Sequence, residues 1–315
     1  MKSKFPTGIL AIILLFFSAC NNPFLQKEKE KSHKSIIEMV WVPAGSFQMG
    51  SPGGESGRIS PRENFRTENS GIVTLTRGFW MGKYQVTQEQ WLAVMGTNPS
   101  YFHGGTGREP AIGEIQGKRP VEQVSWYETI IFCNRLSIKE GLSPAYKIDG
   151  VTNPDIWIST HGSPPTSWIP ASRWNFVEII PNSTGYRLPT EAQWEYACRA
   201  GTTTAYNNGA TINDDTGWYS ANSSSRTRQV GLKPANTWGL YDKHGNVWEW
   251  CWDWYVESYN SAGGNVDPRG AASGPLRVLR GGSWVNSASA IRSAYRFSGT
   301  PSLGDLSLGF RVLRP

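Results

Sequence analysis

Apolar residues recur at helical spacing in only three stretches of this chain. Over 87–95 they set Trp91, Val94 and Met95 on one face, and Thr87 followed by Gln90 has the spacing of a capping box. Over 190–199 the shared face is Trp194, Ala197 and Cys198, with Thr190 and Gln193 as the start signal and Gly201 as the stop. A third helix is predicted over 125–136, opened by Ser125 and Glu128. Short apolar or alternating runs predict strands at 39–43, 47–49, 72–75, 277–279 and 309–313. The 34 Gly and 20 Pro in 315 residues demand many turns, so the pattern predicts an α+β domain with sparse regular structure and long loops.

One run alternates strictly. Trp248, Trp250, Trp252 and Trp254 are separated by Glu249, Cys251 and Asp253, which sets four indoles on one face of an extended segment. Such a face could stack a carbohydrate or cage a cation. A core built from indoles is the better reading. The chain has 15 Trp, each ring buries a large area, and a loop-rich domain needs that area.

The amino terminus follows another pattern. Lys2 and Lys4 precede an apolar run over 8–17, and Ser18, Ala19 and Cys20 follow. That is a charged start, an apolar middle and small residues before a cleavage point. The run is about half as long as the roughly twenty residues that span a bilayer. A cysteine directly after two small residues resembles the lipobox of bacterial lipoproteins, with Phe17 where Leu is usual. The resemblance implies a signal peptide over 1–19, lipid on Cys20, and a membrane-anchored extracytoplasmic protein displayed at the cell surface. Residues 20–37 read as a polar, lysine-rich tether, and 38–315 as one large domain.

Charge and cysteines narrow the classes. The net charge of +6 is scattered, with no Lys/Arg stripe, which argues against a nucleic-acid partner. With Cys20 lipidated, Cys133, Cys198 and Cys251 remain. One disulfide is the most they can form, and small buried hydrophobes are the better reading.

Seven ordered motifs carry a family resemblance: Met39-Val-Trp-Val-Pro-Ala-Gly-Ser-Phe, Phe79-Trp-Met-Gly-Lys-Tyr-Gln-Val-Thr, Arg119-Pro-Val-Glu-Gln-Val-Ser-Trp, Gly185-Tyr-Arg-Leu-Pro-Thr-Glu-Ala-Gln-Trp-Glu-Tyr-Ala, Gly245-Asn-Val-Trp-Glu-Trp, Arg280-Gly-Gly-Ser-Trp and Gly309-Phe-Arg. They resemble the formylglycine-generating-enzyme (sulfatase-modifying factor) family from about residue 38 onward. The resemblance implies a C-type-lectin-like α+β fold. Enzymes that make formylglycine carry two cysteines at the positions held here by Asn286 and Ile291, and neither residue can be a thiolate nucleophile or a copper ligand. The related iron-dependent sulfoxide synthases need clustered histidines, whereas His33, His103, His161 and His244 are widely spaced. The resemblance therefore implies a non-catalytic member without copper or iron. The alternative is a family oxidase with an unrecognised active site.

A calcium loop of the family resembles the stretch from Asp242 to Glu249. It implies Ca²⁺ held by the carboxylates of Asp242 and Glu249 and the carbonyls of Gly245 and Val247. Otherwise Asp242 caps a turn and Glu249 pairs with an arginine.

The segment 285–308 contains no Lys, Glu, Gln, Met or Trp. An Asn codon randomised at its adenines becomes NNC, which encodes none of those five. The segment resembles the variable region of lipoproteins diversified by retroelements, although a Ser-rich loop of an ordinary family member would look similar. On that resemblance Arg292, Ser293, Ala294, Arg296, Pro301, Gly309, Phe310 and Arg311 are fixed. Tyr295, Phe297, Leu303 and Leu306 anchor a ligand, a protein or another surface molecule. Ser287, Ser289, Ser298 and Asp305 add hydrogen bonds, and Val285, Asn286, Ala290, Ile291, Gly299 and Ser307 complete the variable set.

Overall fold

Side-chain caps fix where the helices begin. The computed structural model describes Met1 and residues 35–58, 71–257 and 264–315, so Cys20 and the signal segment lie outside the described residues. Helix α1 (Gln88–Met95) and helix α2 (Trp126–Lys139) each start with a complete capping box, from Thr87 with Gln90 and from Ser125 with Glu128. Helix α3 (Pro154–His161) has no clear apolar period. Its start rests on an Asn153 cap and on Pro154 in the first turn, and it buries Trp157. Helix α4 (Glu191–Arg199) is capped by Thr190 and Gln193. Helix α2 runs to Lys139 rather than to 136, because Ser137 turns its hydroxyl back to the Cys133 carbonyl and stays inside the fold.

The strands are short. In chain order they are β1 (Met39–Val42), β2 (Gly45–Gln48), β3 (Ile72–Leu75), β4 (Phe79–Gly82), β5 (Tyr146–Lys147), β6 (Glu178–Ile179), β7 (Trp248–Trp254), β8 (Arg277–Arg280), β9 (Arg296–Gly299), β10 (Leu308–Gly309) and β11 (Leu313–Arg314). The strand expected over 309–313 is two strands, which pair in different sheets. One sheet has the order β1-β4-β11 and is antiparallel throughout. The other has the order β10-β7-β8-β9, with β10 parallel to β7 and the remaining pairs antiparallel. Two small hairpin-like sheets, β2-β3 and β5-β6, complete the set.

Strand β7 explains the tryptophan run. Trp248, Trp250 and Trp254 are buried and Trp252 is partly buried, so the indoles are core. The opposite face is buried as well. Glu249 accepts a 2.6 Å hydrogen bond from the Trp194 indole, and Asp253 accepts a 2.8 Å bond from the Glu191 amide, which ties this face to α4. Trp126 and Trp250 satisfy their own N–H groups on the Cys251 and Val124 carbonyls, both at 2.9 Å. Trp91 stacks on Phe132 with 5.3 Å between ring centres. Cys133, Cys198 and Cys251 are all buried and unpaired. No helix among the described residues is long and apolar enough to cross a membrane.

Candidate ligand-binding surface

Two carboxylates one helical turn apart organise the carboxyl-terminal segment. Glu191 and Glu195 share a face of α4. Arg280, at the end of β8, reaches both of them, and Arg199 adds a 2.8 Å bond to Glu195. Arg296, opposite Arg280 in the β8–β9 register, grips Glu191 with two bonds of 2.5 and 2.8 Å. Arg280 also donates to the Tyr295 and Ser293 carbonyls. Arg292 pairs with Glu55 at 2.5 Å and bonds the carbonyls of Gly57 and Ser289. All four guanidiniums are buried with their partners, as buried charges require. The backbone from 280 to 299 is thereby fastened at several points, independently of most side chains between them.

On this frame Val285, Phe297 and Leu303 are 52%, 43% and 40% exposed. Ser287 is exposed, and Ser289, Tyr295, Ser298, Asp305 and Leu306 are partly exposed. Phe297 stacks on Trp248 at 5.3 Å, and Tyr295 leans on the same indole at 5.9 Å. Phe297 therefore stands exposed on the outer strand of the sheet, supported from beneath by the buried Trp248 ring.

Four residues expected on the surface are inside. Ala290 and Ile291 end a short 3-10 turn and are buried, Ile291 against Ala205 and Tyr206. Gly299 is buried, and a Cβ there would lie 3.0 Å from the Trp250 ring. Ser307 is buried where Asp305 Oδ1 accepts from its amide and hydroxyl, at 2.9 and 2.6 Å. Asn286 is partly buried and works locally, its Oδ1 accepting from the Ser283 amide and hydroxyl at 3.0 and 2.6 Å.

The stretch from Asp242 to Glu249 folds into an oxygen cradle. The carbonyls of Asp242, Gly245 and Val247 and Oε1 of Glu249 all lie 3.0–3.2 Å from one atom, Nε2 of Gln85. An amide nitrogen has two protons for these four acceptors. Gln85 Oε1 and Asp242 Oδ1 are buried without a hydrogen-bond partner. Asp242 joins the cradle through its carbonyl rather than its carboxylate, which accepts from the Gly231 amide at 2.7 Å. Gly245 has φ of +85°, and a Cβ there would meet the Trp218 carbonyl at 2.0 Å, so only glycine fits. Burial pushes the Glu249 carboxyl up, but Arg311 and Lys243 outweigh it and hold the group at about 2. Four oxygens meeting at one point are donors of the kind a hard cation takes, and Glu249 is also paired with Arg311 and Lys243. Gln85 gave no sequence signal, since a glutamine in a strand-to-helix turn is usually solvated.

One further contact escaped the sequence. Cys198 Sγ lies 3.8 Å from His244 Nε2 and 3.7 Å from Ser293 Oγ. The Asn207 amide donates to His244 Nε2 at 3.0 Å, so Nδ1 carries the proton and donates to the Ile291 carbonyl at 2.6 Å. Both residues are buried, and His244 lies against the Ile291 backbone.

The family model described as the sulfatase-modifying factor enzyme 1-like domain matches residues 25–315. The chain belongs to this family. Among solved structures, the Treponema denticola variable protein 1 is similar, with a TM-score of 0.75 and 40% identity, covering 88% of this chain and 95% of that one. The chaperone protein LppX of Paenibacillus barcinonensis is 35% identical over 279 residues, 82% of each chain. The formylglycine-generating enzyme of Streptomyces coelicolor is 36% identical over 155 residues, 44% of this chain and 49% of that enzyme. The fold is the α+β, C-type-lectin-like fold of the formylglycine-generating type.

Proposed function

We propose that this family member is a lipid-anchored, non-catalytic binding protein whose ligand surface is the diversified segment 285–308. The observation that carries the reading is the separation of duties within that segment. Buried Arg292 and Arg296 hold the backbone through Glu55 and Glu191, while Val285, Ser287, Phe297 and Leu303 face solvent, Phe297 over the Trp248 ring. A fixed frame with exposed side chains between its fasteners accepts many sequences without losing its shape, which is how a loop paratope works. Aromatic anchors such as Phe297 and Tyr295 give contact area at low entropy cost. The similarity to a protein named a variable protein supports this reading, as does that to a chaperone.

The ligand is a protein or another surface molecule. The anchor is Cys20, with the chain held outside the cytoplasmic membrane, and fatty-acid labelling that disappears in Cys20→Ser tests it. The oxygen cradle takes Ca²⁺, held by the carbonyls of Asp242, Gly245 and Val247 and by Glu249, with the Gln85 amide turned to present its oxygen.

A second reading, an oxidase of the formylglycine-generating kind, draws on the buried Cys198–His244 contact. It needs a thiol that substrate can reach, and Cys198 is buried. Incubation with a cysteine peptide, copper and reductant separates the two: aldehyde formation supports the oxidase. The binding reading is tested by a library randomised at Val285, Ser287, Phe297 and Leu303. Most members should fold with melting temperatures near the parent, and selection should yield binders to unrelated proteins. A library that is mostly unfolded would overturn it.

A further inference from the structure

Away from the segment 285–308, the structure has a cavity of about 590 Å³ with Arg77, Arg187 and Arg269 in its wall. That volume suits a small ligand or the headgroup of a larger one. The loop after β3 supplies Arg77, the approach to α4 supplies Arg187, and the loop before β8 supplies Arg269. Phe79 and Pro268 add apolar wall, and no lining residue belongs to the variable segment.

The charges in this wall do not balance. Among the described residues none of the three guanidiniums is in an ion pair, although Pro315 and Asp267 line the same cavity. The Asp267 carboxylate is turned to the Thr76 amide and hydroxyl, at 2.9 and 2.5 Å. Arg187 Nη1 spends its bonds on two neutral acceptors, the Leu188 carbonyl at 3.0 Å and Gln193 Oε1 at 2.9 Å. Burial lowers the Arg187 pKa, and the neighbouring Arg269 charge lowers it further. Arg228, Arg280, Arg292, Arg296 and Arg311 each have a carboxylate, whereas the buried Arg119 and Arg277 bond neutral acceptors as Arg187 does. Three guanidiniums lining one cavity, none of them in an ion pair among the described residues, offer a donor set for a phosphate group, whose oxygens the planar forks match.

We propose that this cavity binds a phosphate group, carried by a soluble phosphate compound or by a phospholipid headgroup. The site is independent of the variable surface, so its ligand and that of the segment 285–308 are held separately.

The test titrates the full chain, as Cys20→Ser to remove any contribution of an acyl anchor, with inorganic phosphate at low ionic strength. The expected result is saturable one-to-one binding, weakened at least tenfold in Arg77→Ala/Arg269→Ala. Both side chains are exposed, so the melting temperature of that variant without phosphate should match the parent. Vesicles of phosphatidylglycerol in phosphatidylcholine, against phosphatidylcholine alone, distinguish the sources. Binding to the anionic vesicles that is lost in the double variant assigns the headgroup, and binding of phosphate without vesicle binding assigns a soluble compound. Failure of both probes to bind, or binding that the double variant leaves unchanged, overturns the proposal.

Discussion

Arg296 and Glu191 form a two-pronged ion pair, Nε to Oε1 at 2.5 Å and Nη2 to Oε2 at 2.8 Å, between the first residue of β9 and the first turn of α4. Both side chains are buried, and Arg296 also donates to the Val256 carbonyl at 3.0 Å. Removing the guanidinium leaves a carboxylate inside the protein. Arg296→Ala should therefore lose on the order of 3 kcal/mol of stability. Denaturant unfolding measures it, and a loss below about 0.5 kcal/mol, the range of ordinary surface changes, would show that the pair does not hold the segment.

Positions inside the same segment should divide sharply. Ile291→Ala empties a site packed by Ala205 and Tyr206 and should cost about 2–5 kcal/mol. Gly299→Ala drives a methyl against Trp250 and should also destabilise. Val285→Ser and Leu303→Ser remove exposed groups and should stay within about 0.5 kcal/mol. Thermal melts of the four variants check this, and equal losses throughout would mean that the segment is uniformly core.

Asp253 sets a pH dependence. Burial, with Glu191 nearby, raises its carboxyl to about 7 in the folded protein, from an ordinary value near 3.8. Between those values the unfolded chain has released the proton and the folded chain still holds it. Stability should therefore fall as pH rises from about 4 to about 7 and then level off. Asp253→Asn should flatten that decline while leaving the part due to Glu122, which burial also raises to about 7. Unfolding free energies at several pH values provide the measurement. A parallel decline in parent and variant would contradict the assignment.

The oxygen cradle can be read optically. Trp194 donates to Glu249 at 2.6 Å, so a lanthanide held by that carboxylate sits beside an indole. Tryptophan-sensitised terbium emission should appear on titration and should be displaced by Ca²⁺. Chelator should lower the melting temperature of the Ca²⁺-loaded protein, because an ion that binds only the native state stabilises it by mass action. No emission together with an unchanged melt would leave the cradle to the Gln85 amide.

Much of this architecture was legible from local signals. The capping residues Thr87, Ser125 and Thr190 each start a helix where their spacing predicts, because an N-cap satisfies backbone donors within its own turn. The tryptophans of β7 read correctly as core. Long-range partners were not legible. Nothing local to Gln85 announces that it meets carbonyls more than 150 positions away, and nothing near Asp242 says that its carbonyl rather than its carboxylate turns inward. Helix α3 carries no apolar stripe to announce it, because it rests on an Asn cap and one buried indole. Within 285–308, Ile291, Ala290, Gly299 and Ser307 read like their neighbours, and only the packing of Tyr206, Trp250 and Asp305 against them sets them apart.

The central claim is that the exposed positions of 285–308 vary while the frame does not, and the most direct measurement is the coding sequence of this segment across many isolates. The account predicts substitutions at adenine-bearing codons, concentrated at Val285, Ser287, Phe297, Leu303 and their partly exposed neighbours Ser289, Tyr295 and Ser298. Arg292, Arg296 and Gly299 should be constant. Substitutions spread evenly over the domain, or an invariant segment in every isolate, would contradict it.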